Sequence, residues 1–218
     1  MSWGARMFYA VDRPDPRLSP NPFKACVVPR PIGWISSLDA AGKRNLAPFS
    51  FFNAINEEPP MVMFCAGGRH VDGGEKDSVK NARETGEFVV NLATWDLREA
   101  MNASSAEVPR SVDEFELARL TPAPCERVRA PRVLESPLSL ECVVIDIYEL
   151  PSEDAALLNR MVMGRVLGIH VADDVIVGER VCAARLRPIA RLGYREYALI
   201  DQVFKMTRPG ATAPGGSS

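Results

Sequence analysis

The chain reads as a mainly β protein of the α+β class: an antiparallel, closed or partly closed barrel carrying a few helices. Three observations predict this. Short apolar or alternating runs recur at residues 23–28, 33–38, 49–54, 61–65, 87–92, 139–150, 161–171 and 187–192. Most connections between them are too short for the crossover helices that parallel strands require. Only two stretches carry the start, stop and spacing signals of a helix.

Taken in order, residues 1–22 are rich in Pro and Arg and form an N-terminal extension expected to wrap the surface before the first strand. The runs 33–38 and 45–53 are strand-like and are joined by Asp39-Ala40-Ala41-Gly42, a turn composition. A helix over 77–85 is predicted to start at an Asp-Ser cap and to stop at Gly86. A second, over 95–104, places Leu97, Ala100 and Met101 on one face. The run 138–144 alternates in its first half and then turns apolar on both faces, as expected for a strand passing from a wet edge into a sheet interior. One domain spans 23–205, and the Gly-, Pro- and Ser-rich tail 206–218 has nothing to bury and is expected to be disordered.

Composition narrows the function. A formal net charge of −2 and a pI near 5.8 leave no basic footprint for nucleic acid or an anionic membrane. No apolar run approaches the roughly 20 residues that span a bilayer, and the first six residues lack a secretory apolar stretch, so a cytoplasmic location is expected. Cys26, Cys65, Cys125, Cys142 and Cys182 are scattered without paired spacing, which argues against a disulfide framework or a zinc site. Cys26, Cys65 and Cys142 sit in apolar runs and are expected to be buried, unreactive thiols. The two histidines, His70 and His170, are far apart, so no metal site is expected.

The most informative segment is Val28–Ser37 with Asn45–Asn53. Ser36, Ser37, Asn45 and Ser50 offer hydrogen bonds to the edge of a flat polar-rimmed ligand, or else are ordinary strand-end residues. In Asn45-Leu46-Ala47-Pro48-Phe49-Ser50 the proline interrupts ladder pairing and frees backbone groups. Trp34, Phe49, Phe51 and Phe52 either cover such a ligand or belong to the core. The helix start Lys76-Asp77-Ser78 combines N–H groups, a cation and a hydroxyl, which suits an anion; alternatively it is simply capped. The loop 66–74 carries Arg69 and His70, which either touch a nucleotide phosphate or are solvated.

The same segments continue in order with Pro59–Phe64, Lys76–Asn81, Gly86–Leu92, Met101–Ser105, Val112–Glu116, Glu135–Leu138 and Ala190–Tyr197. Over about residues 23–200 this series resembles the flavin reductase-like, FMN-binding split-barrel family. The resemblance implies a Greek-key split barrel and a homodimer with FMN near the interface. It implies that Ser36, Ser37, Ala47, Pro48, Phe49 and Ser50 line the ring and ribityl chain, and that Lys76, Asp77 and Ser78 hold the phosphate. Strand alternation allows only one of Ser36 and Ser37 to face the ligand. Ser37 and Ser78 stand where the family often has Thr, which keeps the hydroxyl. The implied activity is NAD(P)H-dependent flavin reduction, with NADH or NADPH as reductant and a partner monooxygenase as a possible acceptor. The alternatives are a flavoredoxin-like electron-transfer protein without such turnover, and a flavin-free structural dimer. No triad or paired carboxylates appear, so no catalytic side chain is expected, and no Gly-x-Gly-x-x-Gly fingerprint offers a Rossmann nucleotide site.

Overall fold

A computed structural model describes residues 7–210. The expectations for residues 1–6 and for 211–218 of the tail lie outside the described residues. The main sheet has seven strands: β2 (Gly33–Leu38), β3 (Arg44–Phe49), β4 (Phe52–Asn56), β5 (Met61–Ala66), β6 (Glu87–Leu92), β9 (Leu138–Leu150) and β10 (Asn159–Val171). Three small sheets pair β1 (Arg30–Pro31) with β13 (Ile189–Arg191) and β14 (Tyr197–Leu199), β7 (Pro122–Ala123) with β8 (Arg132–Val133), and β11 (Ile176–Val177) with β12 (Arg180–Val181). Every strand pair is antiparallel, as the short connections require. The helices are α1 (Phe23–Cys26), α2 (Asp77–Thr85), α3 (Arg98–Ala103), α4 (Glu114–Leu117) and α5 (Ala183–Leu186), with a 3₁₀ turn at Asp173–Val175.

The main sheet runs β3-β2-β6-β9-β10-β5-β4. Its two edge strands, β3 and β4, are separated in the chain by Ser50 and Phe51 alone. The sheet must therefore curl until its edges meet, and the Cys65 N–H of β5 donates to the Phe51 carbonyl at 2.8 Å, continuing the β4–β5 pairing into that corner. No ladder joins β3 to β4, so the barrel stays split along this seam.

Alternation on the curled sheet divides the apolar residues between its two faces. Ile35, Phe64, Phe88, Val90, Cys142 and Val162 fill the barrel interior, where Phe64 meets Phe88 edge-on at 5.3 Å. Trp34 and Leu46 point outward and are covered by Met101 of α3, Phe115 of α4, Val133 and Ile189. Both faces of β2 are thus buried, which explains its near-continuous burial.

Several expectations need correction. Residues 23–28 form a helical turn and not a strand: Asn21 Oδ1 accepts the Phe23 N–H at 2.9 Å and the Pro22 carbonyl accepts from Ala25 and Cys26. The run 49–54 is broken by the corner that ends β3 and starts β4. The second helix is shorter than expected, because Thr94 bridges to Pro188 and the Trp95 N–H donates to the Arg187 carbonyl, holding 94–95 extended. Its apolar face is as read, with Met101 buried and Leu97 and Ala100 packed beside it.

The polarity of β9 is the reverse of the expectation. Its first half lies at the sheet centre between β6 and β10, whereas beyond Val144 only β10 pairs with it and Ile145 and Tyr148 are exposed. Glu141, expected at a wet edge, is buried. Its carboxylate accepts the N–H groups of Glu126, Arg127 and Val128 at 2.9, 2.6 and 3.1 Å and lies 2.6 Å from His170 Nε2. Burial opposes its ionisation, but these bonds prevail and hold its pKa below the ordinary value. Cys125 is pushed up to about 12 by burial and by the Glu141 charge, and burial also raises Cys142. Cys26 is exposed, since the strand expected to bury it does not form.

Gly164 fits only without a side chain: a Cβ there would stand 2.5 Å from Phe88 Cζ and 3.3 Å from Cys142 Cβ. Both neighbours are fully buried. Gly164→Ala should lower unfolding stability by about 1–3 kcal/mol, the usual cost of overpacking. Chemical denaturation of the two proteins measures it, and equal midpoints would contradict this packing.

Candidate functional site

Two adjoining cavities lie on the outer side of the β3 edge. The smaller, about 160 Å³, is lined by Asn45, Ala47, Pro48 and Phe49 of β3 and by Lys76, Asp77 and Ser78 at the start of α2. The larger, about 660 Å³, shares Pro48 and Ser105 with it and adds Ser50, Met101 and residues of α1, β1 and the 191–197 segment. Sites for small molecules and cofactors span roughly 300–1,000 Å³. Eight of the ten residues singled out from the sequence therefore line one groove.

The remaining two do not. Ser36 and Ser37 are fully buried. Ser36 Oγ donates to the Pro131 carbonyl at 2.6 Å and accepts from Asn91 Nδ2 at 3.0 Å. Ser37 Oγ accepts from Asn45 Nδ2 at 3.2 Å and from Asn81 Nδ2 at 3.1 Å. The opposite directions expected from alternation are present, but each side is already covered, one by the 131 segment and the other by α2. Their hydroxyls hold the scaffold, and neither lines the groove.

That scaffold builds the site. Asn45 Nδ2 also donates to Ser78 Oγ at 2.9 Å, so β2, β3 and α2 are tied through one polar network. Ser78 still has its hydroxyl proton to donate. The start of α2 differs from the expected Asp-Ser cap. Lys76 is the N-cap residue and no side chain caps the helix. An α-helix leaves its first N–H groups without intrahelical partners, and the helix dipole adds positive charge there. Gly86 ends the helix with φ of 73°, the left-handed position the sequence predicts.

Acidic groups also reach the smaller cavity, and each is accounted for. Asp77 is bound by Arg110 Nε at 2.6 Å and lies 3.4 Å from His70 Nε2. Glu107 pairs with Lys76 Nζ at 3.2 Å. Glu114 accepts the Leu46 N–H at 3.2 Å, and burial, with Asp77 and Asp113 nearby, pushes its pKa up despite that bond. The negative charge beside the α2 start is thereby reduced.

Arg110 and Glu114 were not singled out by sequence reasoning because they reach the site from the 110–114 stretch, distant in the chain from α2 and the glycine-rich loop, whereas His70, read as either a phosphate contact or a solvated residue, lines the smaller cavity. Arg110 donates to the Gly73 and Glu75 carbonyls at 2.9 and 3.0 Å, while its N–H donates to Asp72 Oδ2 at 2.8 Å. One guanidinium thus folds the glycine-rich loop onto the helix start and brings His70 to the cavity. Arg69 turns away and donates to the Ala156 carbonyl. Of the aromatic residues considered, Trp34 is core, with Nε1 donating to Ser104 Oγ at 2.9 Å, and Phe52 packs on the barrel interior. Phe49 lines the groove, and Phe51 is 40% exposed beneath Lys24 and Arg30, each 5.9 Å from its ring centroid.

Ser37→Ala should destabilise the fold by about 1–3 kcal/mol, because two buried amide donors lose their acceptor. Thermal unfolding reads this directly. Undiminished stability would show that the Ser37 network does not bind α2 to the barrel.

The comparisons agree with this architecture. Residues 25–184 match the model of the flavin reductase like domain. A relative in Halalkalibacterium halodurans is 37% identical over 183 residues, which are 84% of this chain and 87% of that one. Nitrilotriacetate monooxygenase component B of Bacillus cereus superposes with a TM-score of 0.84 at 29% identity, covering 94% of this chain and all of that one. The Pseudomonas fluorescens 2-nitrobenzoate 2-nitroreductase gives 0.80 at 25% identity, covering 96% and 100%. The split barrel, the groove at its seam and the matched domain together place this chain in the flavin reductase-like family.

Proposed function

We propose that the protein is an NAD(P)H-dependent flavin reductase that binds FMN in the seam groove. The observation that carries this is the uncapped start of α2, with Lys76 and Ser78, opening into the same groove as Asn45, Ala47, Pro48 and Phe49. These residues fit the group. The α2 N–H groups, Lys76 Nζ and the Ser78 hydroxyl suit a phosphate. The open edge of β3, interrupted by Pro48, offers backbone partners to a ring edge. Phe49 supplies apolar cover, and Ser50 extends the groove into the larger cavity.

Bound FMN supplies an N5 that accepts hydride from a nicotinamide. The chain contributes position and electrostatics: α2 fixes the phosphate end, β3 the ring edge, and Arg110 neutralises Asp77 so that the anion is not repelled. A partner monooxygenase is a fitting acceptor, since the related Bacillus cereus protein is a monooxygenase component. We also propose a homodimer, supported by the exposed apolar residues Ile145 and Tyr148 on the outer half of β9.

Purified protein assayed for NADH and NADPH oxidation with and without added FMN tests the reading. Turnover that rises with FMN supports reductase activity. Tightly held flavin without turnover indicates an electron-transfer protein, and failure to bind FMN removes both readings. Lys76→Ala should weaken FMN tenfold to hundredfold, about 1.5–3 kcal/mol for a charge-assisted contact, while leaving riboflavin nearly unaffected. Glu107→Gln should act in the opposite direction by releasing Lys76 from its ion pair. Equal losses for both ligands in Lys76→Ala would move the phosphate elsewhere. Light scattering should give twice the 23.9 kDa chain mass; a monomer that retains FMN would overturn the dimer.

A further inference from the structure

The larger cavity carries a charge imbalance that flavin binding at α2 leaves unexplained. Arg30 of β1 and Arg191 of β13 are directly paired across the ladder, an arrangement in which like charges destabilise a sheet. Both line the cavity together with Lys24 of α1, and no Asp or Glu does. Among the described residues the two guanidiniums donate only to carbonyl oxygens: Arg30 to Lys24, Val27 and Leu192, and Arg191 to Tyr194. Arg30 is 5% exposed, and its Nε has no partner at all.

The surrounding backbone is shaped to hold this arrangement. Gly193 allows the 191–197 segment to approach α1, since a Cβ there would lie 2.6 Å from Ala25 Cβ. Tyr194 takes φ of 52°, an uncommon conformation for a bulky residue, with its carbonyl held by Arg191. Arg191 stacks 4.4 Å over the Tyr197 ring. Three cations, two half-exposed tyrosine rings and a volume of about 660 Å³ describe a seat for an anion that also carries a stacking base. The shared residues Pro48 and Ser105 place it next to the flavin groove.

We propose that Arg191 and Lys24, backed by Arg30, seat the diphosphate of the pyridine dinucleotide that delivers hydride to the flavin. This rests on the reductase reading above. The diphosphate is common to NADH and NADPH, so the seat recognises the donor class without choosing between them.

The test uses FMN-loaded protein, with Arg191→Ala, Arg191→Lys and Lys24→Ala beside the unchanged chain. Steady-state kinetics at saturating FMN should show KM for the dinucleotide raised about tenfold or more in each alanine variant, as loss of a charge-assisted contact requires. Arg191→Lys should recover part of that loss, and FMN affinity should stay within about twofold, because the FMN phosphate is held at α2. Titration with ADP-ribose, which carries the diphosphate but no nicotinamide, reads the seat without turnover. Weaker ADP-ribose binding in the variants supports the seat even if the protein oxidises neither dinucleotide, in which case the reductase reading alone fails. Unchanged KM and unchanged ADP-ribose binding overturn the seat while leaving the reductase intact. A parallel fall in FMN affinity also overturns it, by showing that these cations face the flavin.

Discussion

The buried hydroxyl of Ser37 is the point on which the groove depends. It accepts from Asn45 and Asn81, and Asn45 passes the connection to Ser78. Each of these polar groups is costly to bury alone, and together they satisfy one another. A helix resting on a barrel by apolar contact can slide. A helix registered by two directional bonds, between Ser78 and Asn45 and between Asn81 and Ser37, cannot, so the α2 start is held at one height against the β3 edge. The geometry of the groove is therefore set in part by Ser37 and Asn81, which do not line it.

Curling of the sheet supplies the second half of the site. Because Ser50 and Phe51 alone separate β3 from β4, the barrel closes to a corner and leaves the outer edge of β3 without a ladder partner. Exposed edges invite unwanted pairing. Here Pro48 removes one donor, and the glycine-rich loop covers the seam under the control of Arg110. The same edge that could not be left open in a plain barrel becomes the wall of a groove.

Strands with strong alternation, the turn at Asp39–Gly42 and the helix ending at Gly86 were legible because each is fixed by local chemistry. The misreadings arise where distant contacts decide. Residues 23–28 have strand-like composition but follow Asn21 and Pro22, which start a helical turn. Glu141 looks solvent-facing until the 126–128 segment folds over it and supplies three N–H groups. That Lys76, Asp77, Ser78 and most of the 45–50 run share one groove was legible because they are continuous segments. Arg110 and Glu114 were not, since their relevance exists only once the 110–114 stretch folds against the glycine-rich loop and the start of α2. Ser36 and Ser37 were read as presenting a ligand surface because small hydroxyl residues at a strand end serve a scaffold equally well.

The two cavities differ in where along the chain their walls originate. The smaller is made wholly from residues inside the matched domain, 25–184. The larger takes Pro20, Asn21, Phe23 and Lys24 from before that range and Arg191, Tyr194 and Tyr197 from after it. The matched domain thus forms the smaller cavity alone, while the flanks on either side of it in the chain meet beside it and help to wall the larger one. Substitutions in these flanks would reshape the larger cavity and leave the lining of the smaller one unchanged.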